Sequence, residues 1–212
     1  MKFFCIRSII IPYKIKSRGL TEMTVETLGK IFGNIPTLKT ERLVLRGMLV
    51  SDCFDMYEYA RRAEVTKYLT WSAHPDVEYT KEYLKTLKYH YKIGTFYDWA
   101  VVCVEQDKMI GTCGFTRFDL PHNSAEIGYV INPEFRGKGI AVEAAKRVLA
   151  FGFDELGLNR ISARYMVGND ASRRVMEKLG MTFEGISRSE ILVDGTYRDV
   201  GRCAILRDEF QK

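Results

Sequence analysis

The chain is poor in the residues that build metal sites and disulfide frameworks. Its 212 residues hold three histidines, His74, His90 and His122, and five cysteines, Cys5, Cys53, Cys103, Cys113 and Cys203. None of these stands in C-x-x-C spacing, so a zinc ribbon and a disulfide scaffold are both excluded, and a reducing cytoplasm is the expected setting. Cysteine used this way is a small core residue before it is a nucleophile. Long apolar runs are missing too. The opening "MKFFCIRSIIIPYK" is interrupted by Arg7 and ended by Pro12, too short to span a bilayer and without a small-residue cleavage site. Neither sign of charge dominates. The 32 Lys and Arg against 27 Asp and Glu leave +5, which helps to attract an anionic small molecule but does not mark a nucleic-acid binder.

What is present is a folding sequence. With 46% hydrophobic residues, the length suits one α/β domain plus an extension. The extension is expected over residues 1–36 with no chemistry of its own, and "MTVETLGKIFG" at Met23 reads as a second plausible start. The domain is expected over 37–212. "ERLVLRGM" alternates as a half-buried strand does, and Ser51 and Asp52 then cap a helix to about Arg62. Val77, Leu84, Leu87 and Tyr91 mark a second helix that stops at Gly94. "DWAVVCVEQ" and "MIGTCGFTRF" are strands joined by a turn, followed by a strand "SAEIGYVI" and a helix from Ile140. The strand "NRISARYMV", the helix "NDASRRVMEKLG" and a hairpin turning at Asp194 and Gly195 complete the pattern. Strands lead, two βα steps follow and a hairpin closes, which predicts a mixed sheet with helices on its faces.

Between strand and helix lies "NPEFRGKGIAVEAA". A helix start leaves backbone N–H groups unpartnered and carries partial positive charge. Gly137 and Gly139 allow close approach to that backbone, and Arg136 and Lys138 add full charges, so the segment reads either as an anion site suited to phosphate or as a solvated basic loop. Gly139 is followed by Ile140, so the loop lacks the Lys-Ser/Thr of a nucleotide P-loop. Val142 stands where a dinucleotide fingerprint needs its third glycine.

The ordered pair of "RGKGIA" and "NDASRRVMEKLGMTFEG" resembles the GNAT superfamily of acetyl-CoA-dependent N-acetyltransferases. The first matches R/Q-x-x-G-x-G/A through Arg136, Gly139 and Ala141. The second matches the N-x-x-A/S helix and the turn after it. The resemblance runs from about Leu38 to Phe210, and within the family "TERLVLRGMLVSDCFDMYEY", "AEIGYVINPEFRGKGIAVEA" and "DGTYRDVGRCAILRDEF" are most similar to the RimJ/RimL type. It implies an α/β fold with a mostly antiparallel sheet of about seven strands, acetyl-CoA as cosubstrate, no metal, and an amine acceptor. That acceptor is a protein N-terminus first, with a small amine (polyamine, amino acid or aminoglycoside) or a non-catalytic acyl-CoA-binding role as alternatives. A homodimer is compatible with it.

The resemblance also implies roles. Backbone groups of Arg136, Gly137, Lys138, Gly139, Ile140 and Ala141 would cradle the pyrophosphate, while Tyr129, Val130 and Ile131 would pair with the pantetheine arm and supply an oxyanion donor. Glu126 is the expected base for the amine, unless it is a salt-bridging surface glutamate. Asn169 is expected to touch the cofactor and cap its helix. Met176 stands where many relatives carry a proton-donating tyrosine, which leaves Ser172 as the group near the thiolate, or water in its place. Tyr68, Trp71, Phe115, Arg117 and Tyr197 are candidates for the acceptor wall or the core, and Cys203 replaces a tyrosine that relatives often place in the closing strand.

Overall fold

The computed structural model describes residues 23–210, so residues 1–22 of the expected extension, Cys5 among them, lie outside the described part. A short helix α1 (Val25–Gly33) comes first, then strands β1 (Leu38–Lys39) and β2 (Leu43–Arg46). Helices α2 (Cys53–Ala60), α3 (Ala63–Thr66) and α4 (Val77–Lys92) follow, then strands β3 (Tyr97–Cys103), β4 (Lys108–Asp119) and β5 (Ser124–Ile131). Helix α5 (Ile140–Ala150), strand β6 (Arg160–Met166), helix α6 (Asp170–Lys178), the hairpin β7 (Thr182–Val193) and β8 (Thr196–Leu206), and helix α7 (Arg207–Phe210) complete the chain.

The strands form one eight-stranded sheet in the order β1-β2-β3-β4-β5-β6-β8-β7. Only β5 and β6 run parallel, and α5 provides their crossover, as a parallel pair requires. Period-2 alternation sorts the side chains. Trp99, Val101, Cys113, Phe115 and Ile127 pack on one face with Ala144, Ala145 and Val148 of α5. Ala100, Val102 and Met109 pack on the other with Met56 and Tyr59 of α2 and Leu84 and Leu87 of α4. The alanines of α5 let that helix lie close on the sheet.

Helix α1 falls before the expected domain start at residue 37, yet its Leu28 and Phe32 are buried in the same core. Phe32 meets Tyr97, Trp99 and Phe151 edge-on at 4.9, 5.5 and 6.3 Å, and the Trp99 indole N–H donates to the Pro36 carbonyl at 2.7 Å. Such edge-to-face pairs add to the area term.

Candidate active site

Strands β5 and β6 are paired from Ser124/Arg160 to Ile127/Ala163 and then part. Beyond that point Gly128–Ile131 is hydrogen-bonded on its β4 side only, and β6 on its β8 side only. The gap opens into a cleft of about 760 Å³ between the sheet, α2, α4, α5 and α6. Of the expected cofactor residues, Tyr129, Val130, Ile131, Arg136, Gly137, Gly139, Ile140, Ala141, Asn169 and Ser172 line it, as does Glu126. Lys138 does not. Its ammonium turns back over the Phe135 ring at 5.3 Å.

Gly137 and Gly139 have φ of +78° and +79°, the region L side chains rarely adopt, and Gly139 is the N-cap of α5. A Cβ at Gly137 would meet nothing within 4 Å, so the loop backbone is open to a ligand. The loop is braced from below. Glu143, in the first turn of α5, accepts from the Arg42 Nε at 2.7 Å and the Arg42 backbone N–H at 3.1 Å, and the Arg42 Nη1 donates to the Lys138 carbonyl at 3.1 Å. Burial pushes the Glu143 carboxyl up, but Thr40 and Arg42 outweigh it and hold the group below its usual range. On the other flank the fully buried Asn132 donates to Glu58 at 2.8 Å and accepts from the Glu134 backbone. Open amides, a helix start and Arg136 make a fitting cradle for a pyrophosphate. Arg174 and Lys178 of α6, both lining the same end, add charge that the motif reading passed over.

Glu126 is 6% exposed. Thr116 donates to its Oε1 at 3.1 Å and the Arg164 guanidinium stands 3.1 Å from the same oxygen. Oε2 accepts no hydrogen bond from the described residues, which leaves it available to an amine or a water. Asn169 caps α6 by accepting from the Ser172 backbone N–H at 3.2 Å. The Tyr129 hydroxyl lies 3.1 Å from the Ser172 Oγ and donates to the Ser172 carbonyl at 3.0 Å, while burial pushes its phenol well up. Ser172 therefore stands in a hydroxyl pair with Tyr129. Neither Arg164 nor this role of Tyr129 was visible in the linear pattern, because both depend on which strand faces which helix.

The acceptor half divides the expected wall. Tyr68 and Trp71 line the cleft. Phe115 is a core residue of the opposite sheet face, because its position in β4 alternates with Gly114 and Thr116. Arg117 and Tyr197 are outside the lining, Tyr197 being 65% exposed on the hairpin, and Cys203 is buried in the core. Instead α2 and α4 supply Tyr59, Tyr79 and Tyr83, and His74 packs at 4.9 Å on Tyr79 with its Nδ1 2.9 Å from the Thr80 hydroxyl. Among the described residues no cluster of His, Cys, Asp or Glu is arranged to hold a metal, and no helix is long and apolar enough to cross a membrane.

A sheet that opens beside a glycine loop at a helix start is the architecture of an acyl-CoA-dependent transferase. Residues 42–182 match the model of the acetyltransferase (GNAT) domain. The chain is 33% identical over 174 residues to the uncharacterized N-acetyltransferase p20 of Bacillus licheniformis, covering 82% of this chain and 98% of that one. A GNAT-family acetyltransferase structure from Bacillus anthracis superposes with a TM-score of 0.73 at 32% identity, over 82% of this chain and all of the other. The spermidine N(1)-acetyltransferase of Escherichia coli is 33% identical over 89 residues, 42% of this chain and 48% of its own. The chain belongs to the GNAT family and is an acetyl-CoA-dependent N-acetyltransferase.

Proposed function

We propose that the protein transfers acetyl from acetyl-CoA to a small primary amine by direct attack in a ternary complex. The cosubstrate supplies the activated thioester. The loop from Arg136 to Ala141 holds its phosphates, and the β5 edge at Tyr129–Ile131 offers strand-like partners to its arm and an N–H to the oxygen on which charge grows. Glu126 takes the amine's proton through Oε2 or through a water. The Tyr129–Ser172 pair can hand a proton toward the departing sulfur.

The observation that supports this reading is the opening of β5 from β6 directly beside a shielded carboxylate, within one cleft that also holds the glycine loop. The resemblance favours a protein N-terminus as acceptor. The acceptor half, where Glu64, Asp98 and Glu126 line the cleft among Tyr59, Tyr68, Trp71, Tyr79 and Tyr83, favours a small amine. A thiol-release assay with acetyl-CoA, run against alkylamines, diamines, aminoglycosides and N-terminal peptides, tests both. Transfer to peptides alone would reverse the preference, and no transfer with coenzyme A still bound would leave only the binding role.

A further inference from the structure

The acceptor half holds a carboxylate with no cationic partner among the described residues. Asp98, on β3, lines the cleft on the same sheet face as Ala100 and Val102. Its Oδ1 is closed off from bulk solvent and accepts no hydrogen bond among the described residues, and the hydroxyl of Tyr59, from α2 on the same cleft, is in the same condition. Other shielded acids are provided for. Asp52 holds Arg46, Glu58 holds Lys108, Glu126 holds Arg164 and Glu143 holds Arg42. Among the described residues no Arg or Lys stands in salt-bridge range of Asp98. A shielded carboxylate without a cation is costly to keep, so its retention calls for a ligand that completes it.

The path to it is built into the sheet. Asp98 is the register partner of Gly114, and Gly114 is the partner of Gly128, the residue where β5 leaves β6. The row from Gly128 to Asp98 therefore spans two strand spacings, about 10 Å. The one intermediate position, Gly114, lacks a side chain, and this is required, since a Cβ there would stand 2.7 Å from the Asp98 Oδ1. The Asp98 Oδ1 therefore leans across Gly114 toward Gly128, and Asp98, Gly128 and Glu126 line one cleft. Tyr59 and Tyr83 line the same cleft, and aromatic faces suit a cationic chain.

We infer that Asp98 and Tyr59 form a second ammonium subsite, and that the acceptor is a diamine or polyamine whose far amino group sits there while its near one meets Glu126. From Asp98 to Glu126, two strand spacings across and two residues along β5, is about 12 Å; less two contacts of about 3 Å each this leaves about 6 Å, the separation of nitrogens joined by about four methylenes. This rests on the small-amine reading above and assigns it a substrate class and a specificity residue. The Asp98 carboxylate positions the acceptor and takes no part in the transfer.

The test compares 1,4-diaminobutane with n-butylamine, which has the same chain and one nitrogen fewer. The parent should prefer the diamine in kcat/KM by about 10- to 100-fold, the scale of one charged hydrogen-bonded contact, and Asp98→Asn should bring that ratio close to one. Calorimetry of 1,4-diaminobutane on the coenzyme A-bound protein supplies a readout that needs no turnover. Binding that weakens by a similar factor in Asp98→Asn, with coenzyme A affinity intact as the check on folding, supports the subsite. Equal use of the two amines by the parent, an unchanged ratio in the variant, or faster transfer to N-terminal peptides than to diamines overturns it. If no amine is acetylated yet the diamine binds and Asp98→Asn abolishes that binding, the transfer reading fails and the subsite stands.

Discussion

Replacing Asp98 with Asn has a thermodynamic consequence that does not depend on any ligand. Burial lifts the Asp98 carboxyl from an ordinary 3.8 to about 7, against the smaller opposing pull of the Thr112 side chain and the Trp99 backbone N–H. An acid that keeps its proton longer in the folded state weakens the fold wherever the unfolded chain has already released that proton. The penalty therefore begins near pH 4, grows as pH rises and is complete above about pH 7. A separation of about three decades corresponds to about 4 kcal/mol, at about 1.4 kcal/mol per decade. The residue as a whole is only half-buried and faces the cleft, so water reaching its other oxygen reduces the expectation to about 2 kcal/mol. Asparagine keeps the shape and has no proton to lose. For a domain of this size the variant should melt about 4–8 °C above the parent at pH 8, with a smaller gap at pH 5. Thermal melts followed by circular dichroism across that range read the gap directly. A difference that is flat between pH 5 and pH 8, or that shrinks with rising pH, refutes the argument.

Other substitutions test the cofactor half and the packing. Gly139→Val places a β-branched side chain at φ of +79° in the loop and should weaken coenzyme A binding at least 100-fold by calorimetry, as several charge-assisted hydrogen bonds are lost. Glu126→Gln should lower turnover about 10²–10⁴-fold and leave coenzyme A affinity within a few-fold; turnover within a few-fold of the parent at neutral pH would make the glutamate structural. Glu143→Ala removes the acceptor that ties Arg42 to the loop, and coenzyme A affinity should fall by about 3- to 10-fold. A chain beginning at Met23 should keep the parent's melting temperature and coenzyme A affinity, whereas one beginning at residue 37 loses buried Leu28 and Phe32 and should be less stable by about 3–5 kcal/mol in urea titration.

Apart from the short helices α3 and α7, the strands and helices from Thr40 onward were legible because each carries its own period and its own punctuation. The apolar spacing of Val77, Leu84, Leu87 and Tyr91 matches α4, and the turn at Asp194 and Gly195 closes β7 on β8. Helix α1 was not assigned to the domain, since nothing local to "VETLGKIFG" says that Phe32 will meet Trp99 sixty-seven residues on. The glycine loop was legible for a related reason, as its chemistry is contiguous. The acceptor half is assembled from α2, α4, β3, β4 and β5, and only the register brings Asp98, Gly114 and Gly128 into one row. Phe115 illustrates the same point in reverse. One step along β4 sends a side chain into the opposite core, and the strand's start cannot be read closely enough to say which residues share a face.

The parting of β5 and β6 has a bearing on how such a protein can change over generations. One half of the cleft is made of main-chain groups, the freed edge of Tyr129–Ile131 and the amides ahead of α5, so most side chains there can be exchanged without altering what is offered to the nucleotide. The other half consists of side chains, many of them carried by α2, α4 and the segment between them, which touch the sheet on the face away from α5. Mutations that reshape the second half leave the first as it is, provided that Glu58 of α2 keeps its hold on Asn132 at the loop's flank. A lineage can therefore replace the molecule it modifies while the donor it draws on stays the same, with each half answering to a separate selective pressure.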